Sequence, residues 1–212
     1  MANVEPVILP AVRLDLDLVE KVVVTAFWGF LCTRLIPGVF ESGEYLNILL
    51  LLSEALVVFF VVLRRRATAI SERSIDWFVG FAGTLVPLFA LPPEGEPVVP
   101  IAFCAILMLG GFGLNMSAKL TLLRSFGVVA ANRGIKIGGP YRLIRHPMYA
   151  GYMLTQLGFL LSGPNFWNAC VYALAFGLQV VRILAEERML NQDPAYRELS
   201  VRVRYRLAPF VF

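Results

Sequence analysis

Long, continuous apolar runs dominate this chain and restrict how it can fold. Six of them stand out, at approximately 19–40, 45–63, 75–91, 98–115, 147–161 and 166–184. Lipid offers the backbone no hydrogen-bond partners, so only helices and closed barrels can span a membrane, and a helix needs roughly 20 apolar residues to do so. The alternation of a barrel strand is absent from these runs. The sequence therefore predicts an all-α, polytopic bundle of about six transmembrane helices.

Composition points the same way. Of 212 residues, 58% are apolar and 16% are charged, whereas a soluble domain carries about 25% charged residues. The net charge of +4 is spread over several loops, which favours membrane topology and anionic head groups over nucleic acid binding. The single histidine and three cysteines within apolar runs predict no metal site. We expect residues 1–212 to form a single integral membrane domain with no nucleic acid partner.

The distribution of Lys and Arg predicts the orientation of the bundle. Basic residues follow the second, fourth and sixth runs, within 64–73, 119–145 and 188–206. The other connections contain neither Lys nor Arg, at 41–44, 92–97 and 162–165. Basic loops remain on the cytoplasmic side of membrane proteins. Both termini and the basic loops are therefore predicted to face the cytoplasm.

A tight turn at 163–165 separates the last two runs and predicts an antiparallel helical hairpin whose helices pack together. Arg182 and Glu186 are four residues apart and share a helix face. Alone, this spacing also suits a helix-end ion pair with a snorkelling arginine. The hairpin, however, returns Glu186 to the membrane level of His146 and Tyr149, and this meeting of polar groups favours a functional site.

The segment before the hairpin also carries local signals. Pro147 suits the first turn of a helix, so His146 is expected at the helix cap. A lone histidine there is also compatible with a purely interfacial role. Gly134, Gly138 and Gly139 interrupt the basic loop and suit a backbone that approaches a ligand closely.

Several of these residues together resemble a known family. Arg145-His146-Pro147-x-Tyr149-x-Gly151 is followed, after the hairpin, by Glu186-Glu187, Tyr196 and a 202–210 stretch reading RVRYRLAPF. This combination resembles the isoprenylcysteine carboxyl methyltransferase family and its prokaryotic relatives, which share their C-terminal region with phospholipid methyltransferases. The resemblance covers about residues 117–212. It implies a four-helix membrane scaffold at 1–116 and a methyltransferase catalytic half at 117–212.

The resemblance also implies a cofactor, a substrate class and site residues. S-adenosylmethionine would bind in a cytoplasm-facing pocket, and a lipophilic or lipidated acceptor would enter from the bilayer. Arg182 corresponds to the arginine that contacts the acceptor, and the tail would supply a second catalytic arginine, Arg202. Because Arg204 stands where the family commonly has proline, Arg206 is an alternative to Arg202. The implied cofactor-binding residues are Arg133, Gly134, Ile135, Lys136, Tyr141, His146, Pro147, Met148, Tyr149 and Glu186.

Different acceptors remain compatible with these residues. A lipophilic or isoprenylcysteine-like carboxylate is ionised at neutral pH and needs no general base before it accepts a methyl group. The alternative acceptor, a phospholipid or other hydrophobic amine, must first lose a proton, for which His146 or a carboxylate could serve. A membrane transporter or assembly protein without enzyme activity is the second alternative. The sequence predicts no oligomeric state.

Overall fold

The computed structural model describes residues 15–41, 55, 57–93 and 95–208 and is mostly helical. Most of the second apolar run lies outside these residues, although 57–63 are helical. The principal helices are α1 (Leu16–Glu41), α2 (Ser74–Leu85), α3 (Ile101–Leu122), α4 (Pro147–Ser162), α5 (Phe166–Leu190) and α6 (Pro194–Arg202). Short 3-10 turns occupy Val86–Phe89, Leu123–Ser125 and Gly139–Arg142. Strands β1 (Ala69–Ile70) and β2 (Ala131–Asn132) pair antiparallel.

Two helices of the described residues are long and apolar enough to cross a membrane. They are α3 with its 3-10 extension, Ile101–Ser125, and α5, Phe166–Leu190. Ser74–Phe89 forms a shorter apolar helix, and α4 has 16 residues. The predicted helical architecture is therefore confirmed, while two of the about six predicted spans are supported by length and composition.

Glycines decide how α4 packs. A Cβ atom added to Gly151 would lie 2.6 Å from the carbonyl oxygen of Gly111, and one added to Gly158 would lie 2.8 Å from that of Cys104. No side chain fits at such distances, so α4 and α3 approach backbone to backbone. Small residues at a helix interface permit this approach in membrane proteins.

This packing corrects one sequence prediction. The turn after Ser162 does reverse the chain, but α4 packs principally on α3, and α5 packs principally on α2. Contacts between α4 and α5 include Phe159 and Tyr172, whose ring centres are 6.1 Å apart, and the polar groups at the open end. The physical reason is that the glycine face of α4 matches α3, whereas a turn fixes only which helices are consecutive.

The two ends of the bundle differ in charge. At one end, Val98 donates to the carbonyl of Leu161 at 3.1 Å, and the Asn168 side chain bonds both the amide and the carbonyl of Leu91. The connections 92–97 and 162–165, which lack Lys and Arg, therefore lie at the same end. The pairing of β1 with β2 joins the two basic loops at the other end. The remaining connection of this type, 41–44, lies almost wholly outside the described residues.

Candidate active site

A cleft of about 730 Å³ opens at the end of the bundle that carries the basic loops. It is bounded by the loop before and after β2, the 3-10 turn at Gly139–Arg142, the start of α4 and the last turns of α5. Of the residues implied to bind a cofactor, only Pro147 does not line this cleft. Its lining includes Arg133, Gly134, Ile135, Lys136, Tyr141, His146, Met148, Tyr149 and Glu186.

Glu186 is the central polar group of the cleft, and its side chain is 20% exposed. It accepts a hydrogen bond from the hydroxyl of Tyr149. Its carboxylate oxygens lie 3.6 Å from Arg182 Nε and 3.8 Å from His146 Nδ1. The structure thus brings together the polar residues that the hairpin argument expected to meet at one depth.

Arg182 lies behind this cluster, away from the open cleft. Its buried guanidinium donates to Thr84 Oγ1 at 3.3 Å and approaches the Gly127 carbonyl oxygen at 3.5 Å. The guanidinium carbon is 5.3 Å from the centre of the Tyr149 ring, within the range of a cation–π contact. Among the described residues Nε has no hydrogen-bond acceptor.

A second cavity, almost entirely apolar and about 690 Å³ in volume, lies near Arg182. Thr84, which accepts the hydrogen bond from Arg182, is part of its wall. The remaining lining comes from α1, the 57–63 helix, α2 and one loop residue: Val23, Val24, Phe27, Trp28, Leu31, Val57, Val58, Phe81, Leu85 and Val128. Arg182 lines neither space, but it contacts Thr84 in the wall of the apolar cavity and both Glu186 and Tyr149 in the wall of the polar cleft.

Hydrogen bonds between neighbouring residues stabilise the loop around Gly134. Ser125 donates to the carbonyl of Arg133 at 2.9 Å, and the amide of Gly134 donates to the Asn132 side chain at 2.9 Å. Gly134 has φ of +95°, a conformation that glycine adopts readily. The carbonyl of Arg133 and the amide of Gly134, which the family resemblance implied in cofactor binding, are thus already paired within the protein. The Arg133 guanidinium turns inward to Glu20.

A buried tyrosine forms part of the cleft wall. Tyr141 is buried, and burial raises the pKa of its hydroxyl well above the ordinary value; the Glu186 carboxylate raises it further. A tyrosine hydroxyl is already protonated at neutral pH, and this rise in pKa keeps it a hydrogen-bond donor at higher pH as well. No cluster of three or more His, Cys, Asp and Glu side chains within the described part of the chain could hold a metal ion.

Residues 99–196 match the phospholipid methyltransferase family. A domain of this family indicates a membrane methyltransferase, and such enzymes in general use S-adenosylmethionine. The match starts at residue 99, so it includes α3, which the sequence analysis assigned to the scaffold. No curated protein matches the chain.

Glu187 lies within the matched residues and makes contacts that the sequence did not reveal. Its buried carboxylate lies 2.8 Å from Arg145 Nη1, 2.9 Å from Arg206 Nε and 3.2 Å from His146 Nε2. The Tyr196 hydroxyl also donates to it, at 3.2 Å. The only sequence signal was its place beside Glu186, because its partners come from three separate segments.

The tail contacts Glu187 through Arg206, and neither Arg202 nor Arg206 lines the cleft. The amides of Arg145 and His146 donate to the carbonyls of Tyr205 and Arg206, each at 2.9 Å, so the tail pairs with the segment before α4. Arg202 ends α6 with an exposed side chain that pairs with Glu198 at 3.2 Å. The structure therefore does not place the predicted catalytic Arg202 in the cleft, because α6 continues to residue 202 and turns it outward.

Proposed function

We propose that this protein is an S-adenosylmethionine-dependent membrane methyltransferase with a lipophilic acceptor. The observation that carries the proposal is the position of Arg182, a buried cation that contacts both the wall of a polar cleft and the wall of an apolar cavity. The match of residues 99–196 to a methyltransferase family supports the reaction class. The active site would face the cytoplasm, because the cleft opens at the end with the basic loops.

The cleft residues fit the cofactor. The cleft lining combines apolar and aromatic side chains with a few charged ones, as ligand pockets usually do. Glu186 would receive the cofactor's cationic end or its hydroxyls, and the rings of Tyr141 and Tyr149 would face that end. Ile135 and Leu190 would pack on its adenine. When bound, S-adenosylmethionine supplies an activated methyl group on its sulfonium.

The chain's own contribution is positioning and exclusion of water. Glu186, Tyr141 and Tyr149 would position the methyl donor in the cleft. Arg182 would hold the acceptor from the opposite side. Arg182 and Tyr149 are both buried, so little water would reach the place where the methyl donor and the acceptor meet. No proton transfer is needed if the acceptor is a carboxylate, since that group is ionised at neutral pH.

Arg182 and the apolar cavity favour a lipophilic or isoprenylcysteine-like acid as the acceptor. A guanidinium orients a carboxylate through two parallel hydrogen bonds, and the cavity suits the attached hydrocarbon chain. The family match favours a second candidate, a phospholipid amine. In that case Arg182 would hold the phosphate, and Glu186 or His146 would accept the proton of the amine.

Purified protein in detergent provides the test. We expect S-adenosylmethionine and S-adenosylhomocysteine to bind without added metal. Radiolabelled methyl groups should then pass to lipophilic acids or to lipid amines supplied in mixed micelles. Alkali releases methanol from a methyl ester but leaves an N-methyl group intact, so this treatment distinguishes the two reactions. Absence of nucleoside binding by folded, monodisperse protein would rule out the proposed function.

A further inference from the structure

One wall of the cleft is an irregular loop with no helix of its own. Residues 126–136 contribute much of the lining, and only the two-residue strand β2 within them is regular. Its shape therefore depends on contacts with other elements. One such contact is the strand pair. Directly beside it, the backbone amide of Ser71 donates to the carbonyl of Ala130 at 3.0 Å. Another is a buried carboxylate from α1.

That carboxylate belongs to Glu20, which is completely buried near the start of α1. Its Oε1 accepts the amides of Val128 at 2.6 Å and Val129 at 3.1 Å. Its Oε2 accepts from Arg133 Nη2 at 2.8 Å. Glu20 thus binds both ends of the stretch 128–133, which also contains the cleft residues Val129 and Ala131.

Further charges complete this buried cluster. Arg64 Nη1 lies 2.7 Å from Glu20 Oε1, and its Nη2 lies 3.0 Å from Asp17 Oδ1. Arg133 Nη2 is also 3.3 Å from Asp17 Oδ1. Moving such charges out of water costs free energy that their mutual attraction does not always recover, so buried ion pairs are weak evidence for stability. The contacts of Glu20 with the loop 128–133 therefore favour a role in fixing the shape of that loop over a role in global stability.

We infer that Glu20 is a positioning residue for the cofactor site: it holds the wall at 128–133 in the shape that binds S-adenosylmethionine. The inference rests on the proposed function. It gives α1, which lies outside the matched residues 99–196, a part in cofactor binding. Glu20 does not line the cleft and acts through Val128, Val129 and Arg133.

The test compares Glu20→Gln with Glu72→Gln, a control that makes the same chemical change at an exposed position. The glutamine amide keeps the shape of the carboxylate but removes its negative charge. That charge strengthens the hydrogen bonds from Val128, Val129 and Arg133. We expect the Kd for S-adenosylhomocysteine, and the KM for S-adenosylmethionine, to rise about tenfold or more in Glu20→Gln. The kcat at saturating cofactor should stay close to wild type, and amide hydrogen exchange should accelerate within 126–136.

The outcomes separate this inference from the proposed function. If wild-type protein binds the nucleoside and Glu20→Gln binds equally well, with only a lower melting temperature, Glu20 is merely structural and the inference is wrong. If wild-type protein does not bind, the proposed function itself fails and the inference with it. Glu20→Asp provides a second variant should Glu20→Gln not fold. It keeps the charge but is one methylene shorter, so it should also bind more weakly; wild-type affinity would overturn the inference.

Discussion

Tyr149 donates a hydrogen bond to Glu186 and so joins the first turn of α4 to the last turns of α5, 37 residues later in the sequence. Arg182 lies one helical turn before Glu186 and packs against the face of the same tyrosine. The three side chains form one cluster in which the carboxylate reaches the cleft and the guanidinium does not. This division suggests different roles for the two charged residues.

Substitutions of Glu186 and Arg182 should therefore have different effects. Glu186→Gln should weaken nucleoside binding about tenfold, because a charge-assisted contact is lost. Arg182→Lys should bind the nucleoside nearly as well as wild type but transfer methyl groups much more slowly, since lysine lacks the planar fork. Parallel titration and turnover assays measure both. If both variants lose only thermal stability, the two residues form a helix-end ion pair outside the active site.

Glu187 should matter for stability more than an exposed carboxylate. Glu187→Gln would leave Arg145 and Arg206 without their shared counter-charge in a largely buried setting, and we expect a loss of about 2–4 kcal/mol. Glu198→Gln, which breaks an exposed pair with Arg202, should change stability by less than about 1 kcal/mol. Thermal unfolding in detergent compares the two. Equal effects would contradict the central role of Glu187.

The close approach of α3 and α4 can be tested with glycines. Gly151→Ala places a methyl group within 2.6 Å of the Gly111 carbonyl oxygen, so the helices must separate, at a cost of about 1–3 kcal/mol. Gly177→Ala is the matched control in α5, because no atom lies within 4 Å of its added Cβ. It should be neutral or slightly stabilising, since alanine favours helix. Melting temperatures of the two variants decide the matter, and equal shifts would exclude backbone contact.

Cysteine labelling tests the orientation of the bundle. In a background lacking Cys32, Cys104 and Cys170, Glu96→Cys and Glu72→Cys place thiols in exposed loops at opposite ends of the bundle. A membrane-impermeant reagent added from the non-cytoplasmic side should label position 96 and leave position 72 unmodified. The reverse pattern would invert the topology, and labelling of both positions would contradict a membrane-spanning bundle.

Much of the helical organisation was predictable because its signals are local. Apolar runs predict helices without reference to the rest of the chain. Pro147 predicts the start of α4, and the turn at 163–165 predicts that α5 begins directly after it. The turn at 163–165 also predicted that His146 and Glu186 would meet. Each of these inferences needs only neighbouring residues or one short connection.

Contacts between distant segments could be decided only by the tertiary structure. Glu20 pairs with Arg133 across 113 residues, and the partners of Glu187 come from a turn, a helix and the tail. Likewise, the sequence left Arg202 and Arg206 as alternatives, and only the end of α6 shows which of them reaches Glu187. The hydrophobic pattern determines which segments become helices, but it does not determine which faces meet. The packing of close-fitting surfaces, such as the glycine faces of α3 and α4, decides which faces meet.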